Sequence, residues 1–170
     1  MPAMKISIEK AKADKLFYVV ANAVVYRESD GKCLILKRSE REIVHPGLYG
    51  VVGGKLEWND ILIEKPDNIN GDILDYHDSI EKLIMREAKE EAGIELFPEL
   101  KYMHSKAFIR PDGIPVVLIK FTAKYKSGEV ILEEGAFTEY AWVDSDEVKK
   151  YSCIDGITEE VDHAIAIWQK

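Results

Sequence analysis

The chain has 170 residues, 46% hydrophobic and 32% charged, with 23 basic against 31 acidic side chains and a formal net charge of −8. That is the size and polarity of one globular domain, with too little apolar material for a helical membrane protein and too much for a disordered chain. The acidic balance argues against a nucleic-acid binder, which needs a basic face, and an anionic substrate would require local help such as a bound metal.

Met1 to Lys15 is charged throughout and lacks the apolar region of a secretory leader, so the cytoplasm is the expected location. The longest apolar run, Leu16 to Tyr26, is broken by Asn22 and falls far short of the roughly 20 residues that cross a bilayer. Within it Phe17 to Tyr26 predicts a largely buried strand; Ser29-Asp30-Gly31 then turns the chain into a second strand, Cys33 to Lys37. After His45-Pro46-Gly47, the segment ending Val51-Val52-Gly53-Gly54 predicts a short strand that runs into a glycine turn. Asp78-Ser79-Ile80-Glu81 has the pattern of a capping box and opens a helix that ends at Gly93. Met103 to Arg110 and Val116 to Tyr125 predict strands about the turn Pro111-Asp112-Gly113, and Tyr140 to Val143 predicts one more. Asp144 to Lys150 starts like a helix, and Val161, Ala164, Ile165 and Trp168 give the tail from about Thr158 to Lys170 a helical apolar face. No repeat or linker divides the chain, so residues 1–170 are expected to form one domain of the α+β class. Cys33 and Cys153 are far apart in sequence and predict two free, partly buried thiols.

The helix carries the informative anomaly. At about 100° per residue, Ile80, Leu83 and Ile84 define an apolar stripe, and Glu87, Glu90 and Glu91 continue it while Lys82 and Lys89 fall opposite. Carboxylates at this spacing repel one another, and to be buried they must be protonated, paired with cations or bound to metal. Oxygen-only ligands suit Mg²⁺ or Mn²⁺. The alternative is an exposed acidic face with Arg86 and Lys89 as surface partners.

Arg86-Glu87-Ala88-Lys89-Glu90-Glu91-Ala92-Gly93-Ile94 matches the REUxEExGU half of the Nudix signature, Gx5Ex7REUxEExGU, at every specified position. The chain therefore resembles a Nudix hydrolase, and the likeness extends to the upstream hairpin, to Leu48 to Glu57 and to Glu134 to Glu147. It implies an α/β/α sandwich about a central mixed β-sheet. The first half of the signature departs from the pattern: 23 residues rather than five separate Gly54 from Asp78, the acid reached by counting back from Arg86. Counting forward from Gly54 gives Asp60 instead, but then Asn68 would stand at the Arg position, so Asp78 is taken as the equivalent, with a helix N-cap as its other role. The insertion at about 58–77 has a net charge of −4 and forms either a flap near substrate or a surface elaboration or oligomer contact.

The resemblance implies metal-dependent hydrolysis of a pyrophosphate bond in a nucleoside diphosphate linked to another moiety, of the ADP-ribose, nucleotide-sugar or nucleoside-triphosphate type. Glu87, Glu90, Glu91 and the carbonyl of Gly53 would hold Mg²⁺ or Mn²⁺, Arg86 would orient the glutamates, and Gly54 would let the backbone approach the phosphates. Glu134 is the expected general base or extra metal ligand, with Glu133 and Glu139 as alternatives, and Arg38 the expected phosphate contact. His45 and His104 are expected in turn and packing roles, and Phe17, Tyr18, Tyr49 and Phe108 in core packing rather than in stacking on a base. Two competing readings remain: a non-catalytic nucleotide or ADP-ribose sensor on the same fold, and an enzyme acting on RNA ends, which the charge of −8 disfavours. A homodimer is compatible with all of them.

Overall fold

The computed structural model describes residues 1–170. Strand β1 (Tyr18–Arg27) is central because its alternate side chains are apolar on both faces. Ala21, Ala23 and Val25 enter one core, Val24 and Tyr26 the other. β2 (Lys32–Arg38) returns antiparallel after the predicted turn and is likewise buried on both sides. The chain then forms β3 (Tyr49–Gly50) against β2, crosses at Val51, and pairs β4 (Val52–Lys55) with β1. Gly53 and Gly54 thus lie inside β4, where Asn22↔Gly53 and Ala21↔Gly54 are partners, and not in the glycine turn expected from sequence.

The insertion contains a single 3₁₀ turn at Trp58–Asp60 and a small separate hairpin of β5 (Asn68–Asn70) and β6 (Ile73–Asp75). Helix α1 (Ser79–Ala92) follows. Its expected capping box does not form: Asp78 is left-handed (φ 54°) and caps nothing, while Ser79 Oγ donates to the Tyr76 carbonyl. Strand β7 (Glu95–Ile109) begins eight residues earlier than predicted and runs with irregularities along β8 (Pro115–Ser127). β8 lies parallel to β1 from Tyr18↔Val116 to Tyr26↔Lys124, which makes the sheet mixed. β9 (Phe137–Val143) pairs with β2.

The expected helix at Asp144 to Lys150 shrinks to a 3₁₀ turn, Val148–Lys150, because Asp144 and Glu147 close a reciprocal pair of side-chain bonds to each other's amides. Helix α2 (Ile157–Trp168) docks Val161, Ala164 and Ile165 as its spacing predicted. The sheet is therefore a layer between α1 and α2, the α/β/α sandwich with a central mixed sheet expected from the resemblance. Cys33 is buried and Cys153 half-buried, both as free thiols, and burial pushes the Cys33 thiol up to about 12. No helix is long and apolar enough to cross a membrane.

Candidate active site

Helix α1 is fixed to the sheet by Leu83, Ile84, Ala88 and Ala92, all fully or almost fully buried, and stops at Gly93, whose left-handed φ of 69° lets its N–H return to the Lys89 carbonyl at 3.0 Å. Removing a side chain such as Leu83 would cost about 2–5 kcal/mol. That anchoring leaves the next residues of the same face no choice of direction. Glu87 and Glu91 therefore point at β4 from a face that began as core.

Each meets a glycine. The Gly53 amide donates to Glu91 Oε2 at 2.9 Å. A Cβ on Gly54 would overlap the Glu87 carboxyl group, so any side chain there would displace that carboxyl group from its place. Glu87 retains 13% side-chain exposure, whereas Glu90 retains 54% and departs from the predicted stripe toward solvent. Burial pushes the Glu91 carboxyl up to about 8, opposed by the Gly53 hydrogen bond and reinforced by the charges of Glu87 and Glu133. Glu87 is raised too, first by burial and then by Glu90, Glu133 and Asp60, with Arg86 acting in the opposite sense.

Arg86 joins the acids from one side. Its Nη1 lies 3.0 Å from Glu87 Oε1 and 3.1 Å from Glu90 Oε2, while Nη2 lies 3.2 Å from Asp60 Oδ1. Burial works against its charge, and Glu87, Asp60 and Glu90 outweigh that, so its pKa is raised. Asp60 was missed as the counterpart of this arginine. The signal was present in the forward count from Gly54; the exposed, unbonded Asp78 is not the acid that the fold brings to Arg86.

The remaining candidates lie further out. Arg38, at the end of β2, is held by the Val44 carbonyl at 2.9 Å and by Glu42 at 2.8 Å, yet its charge still reaches Glu91. Glu134 is exposed on the loop before β9; its neighbour Glu133 donates its amide to the Glu91 carbonyl at 3.0 Å and acts electrostatically on both buried acids. Glu139 is occupied by Lys37 and Tyr49, each at 2.8 Å. His45 turns the chain at a positive φ of 54°, and His104 packs its Nε2 3.0 Å from Glu160. Tyr49 is buried as expected, but Phe17, Tyr18 and Phe108 are exposed rather than packed in the core.

No three His, Cys, Asp or Glu side chains converge closely enough to hold a metal ion by themselves. The chemistry of the donor set nevertheless fits a hard divalent cation: two half-buried carboxyl groups side by side, each held back from ionising by desolvation and by its acidic neighbours, with Glu90 and Glu133 nearby and a backbone that presses close.

Comparison with known proteins bears on this geometry. The profile of the NUDIX domain matches residues 17–160. The NAD-capped RNA hydrolase NudC of Pseudomonas aeruginosa is 27% identical over 116 residues, 68% of this chain and 33% of that protein, so the chain spans about a third of the length of the curated relatives it matches. Among solved structures, the NUDIX domain of Shewanella oneidensis NrtR, complexed with ADP ribose, superposes with a TM-score of 0.66 at 16% identity, covering 94% of this chain and 92% of that one. A MutT protein from Methanosarcina mazei Go1 gives 0.62 at 20% identity over 94% and 100% of the chains. The MutT NUDIX hydrolase from Burkholderia pseudomallei gives 0.61 at 23% identity, over 89% and 98%.

Proposed function

This chain belongs to the Nudix family, and on that footing we propose that it hydrolyses the pyrophosphate bond of a nucleoside diphosphate linked to a second moiety, using Mg²⁺ or Mn²⁺. The observation that carries the reading is the pair Glu87 and Glu91, half-buried side by side against Gly54 and Gly53 with their pKa values raised. A site built only for stability would not set two carboxyl groups side by side in a half-buried position where each opposes the other's ionisation.

Glu87, Glu90, Glu91 and the Gly53 carbonyl would hold the metal. When bound, it neutralises diphosphate oxygens and lowers the pKa of an attacking water. Arg86, braced by Asp60, fixes the Glu87 and Glu90 carboxylates by charge-assisted hydrogen bonds. Gly54 keeps the wall clear of a side chain beside Glu87. Arg38 is the candidate phosphate contact on the far side, its fork only partly used by Glu42 and Val44. For the base that takes the proton from water, Glu133 is better supported than Glu134, because its charge reaches both buried carboxylates. The substrate in the name of one similar protein, NAD-capped RNA, and the ligand bound to another, ADP ribose, share an adenosine diphosphate half and favour substrates of that type; the net charge of −8 favours a small molecule over RNA.

The test is product release from ADP-ribose, nucleotide sugars, dinucleoside polyphosphates, NADH and nucleoside triphosphates, each with Mg²⁺, Mn²⁺ or EDTA, alongside Glu91→Gln. Metal-dependent turnover lost in the variant is expected. Binding without turnover of any compound would put the sensor reading in its place.

A further inference from the structure

Beside the charged centre lies a pocket of opposite character. It encloses about 620 Å³, within the range of roughly 300–1,000 Å³ usual for small-molecule sites, and Phe17, Tyr18, Leu56, Trp58, Ile61 and Pro115 contribute to its walls. Glu57 is its one charged lining residue. Phe17, Tyr18 and Trp58 remain 46%, 43% and 56% exposed, a concentration of open aromatic surface that core packing does not explain.

The pocket is built into the same backbone as the carboxylate pair. The Leu56 amide donates to the Val19 carbonyl at 2.9 Å and prolongs the β1–β4 ladder one step beyond Lys55. Gly54 and Leu56 share a face of that extended chain, and Gly54 faces Glu87. From Gly53 to Leu56 is three residues, about 10 Å at roughly 3.3 Å each, a reach that a ribose and two phosphates cover. Next, the Glu57 amide donates to Asp60 Oδ2 at 2.8 Å, closing the turn that carries Trp58 and delivers Asp60 to Arg86. Trp58 and Ile61 thus flank the residue that braces Arg86, so the apolar wall and the charged centre hold fixed positions relative to one another.

We propose that this pocket seats the nucleobase of the substrate, stacked on Trp58 and Phe17, with an exocyclic amino group directed at Glu57. The position of the diphosphate in this arrangement rests on the hydrolase reading; the preference of the pocket for an aromatic ring does not. Three aromatic side chains and a lone carboxylate suit a planar ring bearing N–H donors, and the carboxylate repels a phosphate placed at this end. An aliphatic chain is the competing occupant.

The test titrates the full chain with AMP, CMP, GMP and UMP, with inorganic pyrophosphate as a probe of the charged centre alone, and with geranyl diphosphate as the aliphatic probe. At least one amino-bearing nucleotide is expected to bind, with Trp58→Ala weakening it about five- to a hundredfold. Trp58→Phe should restore most of that affinity, and pyrophosphate should bind wild type and both variants alike. Nucleotide affinity unmoved by both Trp58→Ala and Phe17→Ala overturns the proposal, as does Trp58-dependent binding of geranyl diphosphate with no binding of any nucleotide. The two readings fail separately. A nucleotide held through Trp58 but never cleaved upholds the pocket and overturns the hydrolase; metal-dependent cleavage with a KM untouched by Trp58→Ala does the reverse.

Discussion

Asp60 meets Arg86 at 3.2 Å although 26 positions separate them, and the contact closes the loop around the carboxylates before the inserted segment departs. Asp60 retains only 17% side-chain exposure, so the pair is partly shielded from water. Asp60→Asn should remove the charged partner of Arg86 Nη2, leaving the guanidinium held only through Nη1 by Glu87 and Glu90, and lower kcat about tenfold, in keeping with the roughly 1.5–3 kcal/mol of a hydrogen bond to a charged group. Asp78→Asn should stay within about twofold of wild type on the same general scale for surface substitutions. Steady-state kinetics on both variants decide the matter, and a larger loss from Asp78→Asn would return the role to that residue.

Gly54→Ala places a methyl group where the Glu87 carboxyl now lies. Because Gly54 does not need a left-handed backbone, the damage comes from contact alone and should fall on the metal site. Calorimetric titration with Mn²⁺ should show affinity reduced by about tenfold or more, the scale seen when groups supporting a metal ligand are disturbed. Unchanged affinity would remove Glu87 from the ligand set.

Glu91 makes stability depend on pH in an unusual direction. Its carboxyl is raised from 4.5 to about 8, so the folded chain holds a proton that the unfolded chain has released. The stability it contributes is complete below about pH 4.5 and is lost as pH rises through about 8. At about 1.4 kcal/mol per pKa unit the upper limit is several kcal/mol. In EDTA, denaturant melts from pH 5 to 9 should show wild type losing stability relative to Glu91→Gln, and excess Mg²⁺ should flatten the difference. A parallel pair of curves would refute the burial argument.

Lys120 and Glu160 form a buried ion pair at 2.8 Å between β8 and α2, with His104 on the other carboxylate oxygen. Lys120→Met strands Glu160 with the histidine alone and should cost about 3–5 kcal/mol in urea unfolding. Adding Glu160→Leu should recover most of the loss. A single variant as stable as wild type would mean that the pair is dispensable to the docking of α2.

The parts of the molecule that could be read from sequence were those set by local periodicity. Helix α1, its glycine stop and the side from which Glu87 and Glu91 emerge follow from spacing within fourteen residues, and the two-faced burial of β1 follows from its Val-rich run. The depth of Glu90 was misjudged because helical phase gives direction but not depth; it meets Arg86 at the exposed rim of the helix. The start of β7 was missed because Pro98 and two glutamates read as loop, yet β7 is an edge strand, where proline is tolerated. Phe17 and Tyr18 read as core because sequence shows how apolar a strand is, not where the layer covering it ends. Asp60 was reached by the local count from Gly54 and set aside because the inserted segment puts Asn68 where the arginine should stand; its partner Arg86 arrives only when the chain returns.

The hairpin that grows from the insertion has its own consequence. Asp67 donates its amide to the Asp75 carbonyl at 2.9 Å, so the segment leaves and re-enters the fold at almost the same place. Such an excursion behaves as a removable cassette: residues 68–74 can be exchanged for a short turn, or for a reporter peptide, while Tyr76 still anchors the stem on the Leu62 carbonyl and Lys82 on Asp67. The hairpin thus offers a grafting port, a place where length and sequence can be altered while the stem that carries the chain on to α1 keeps its own hydrogen bonds.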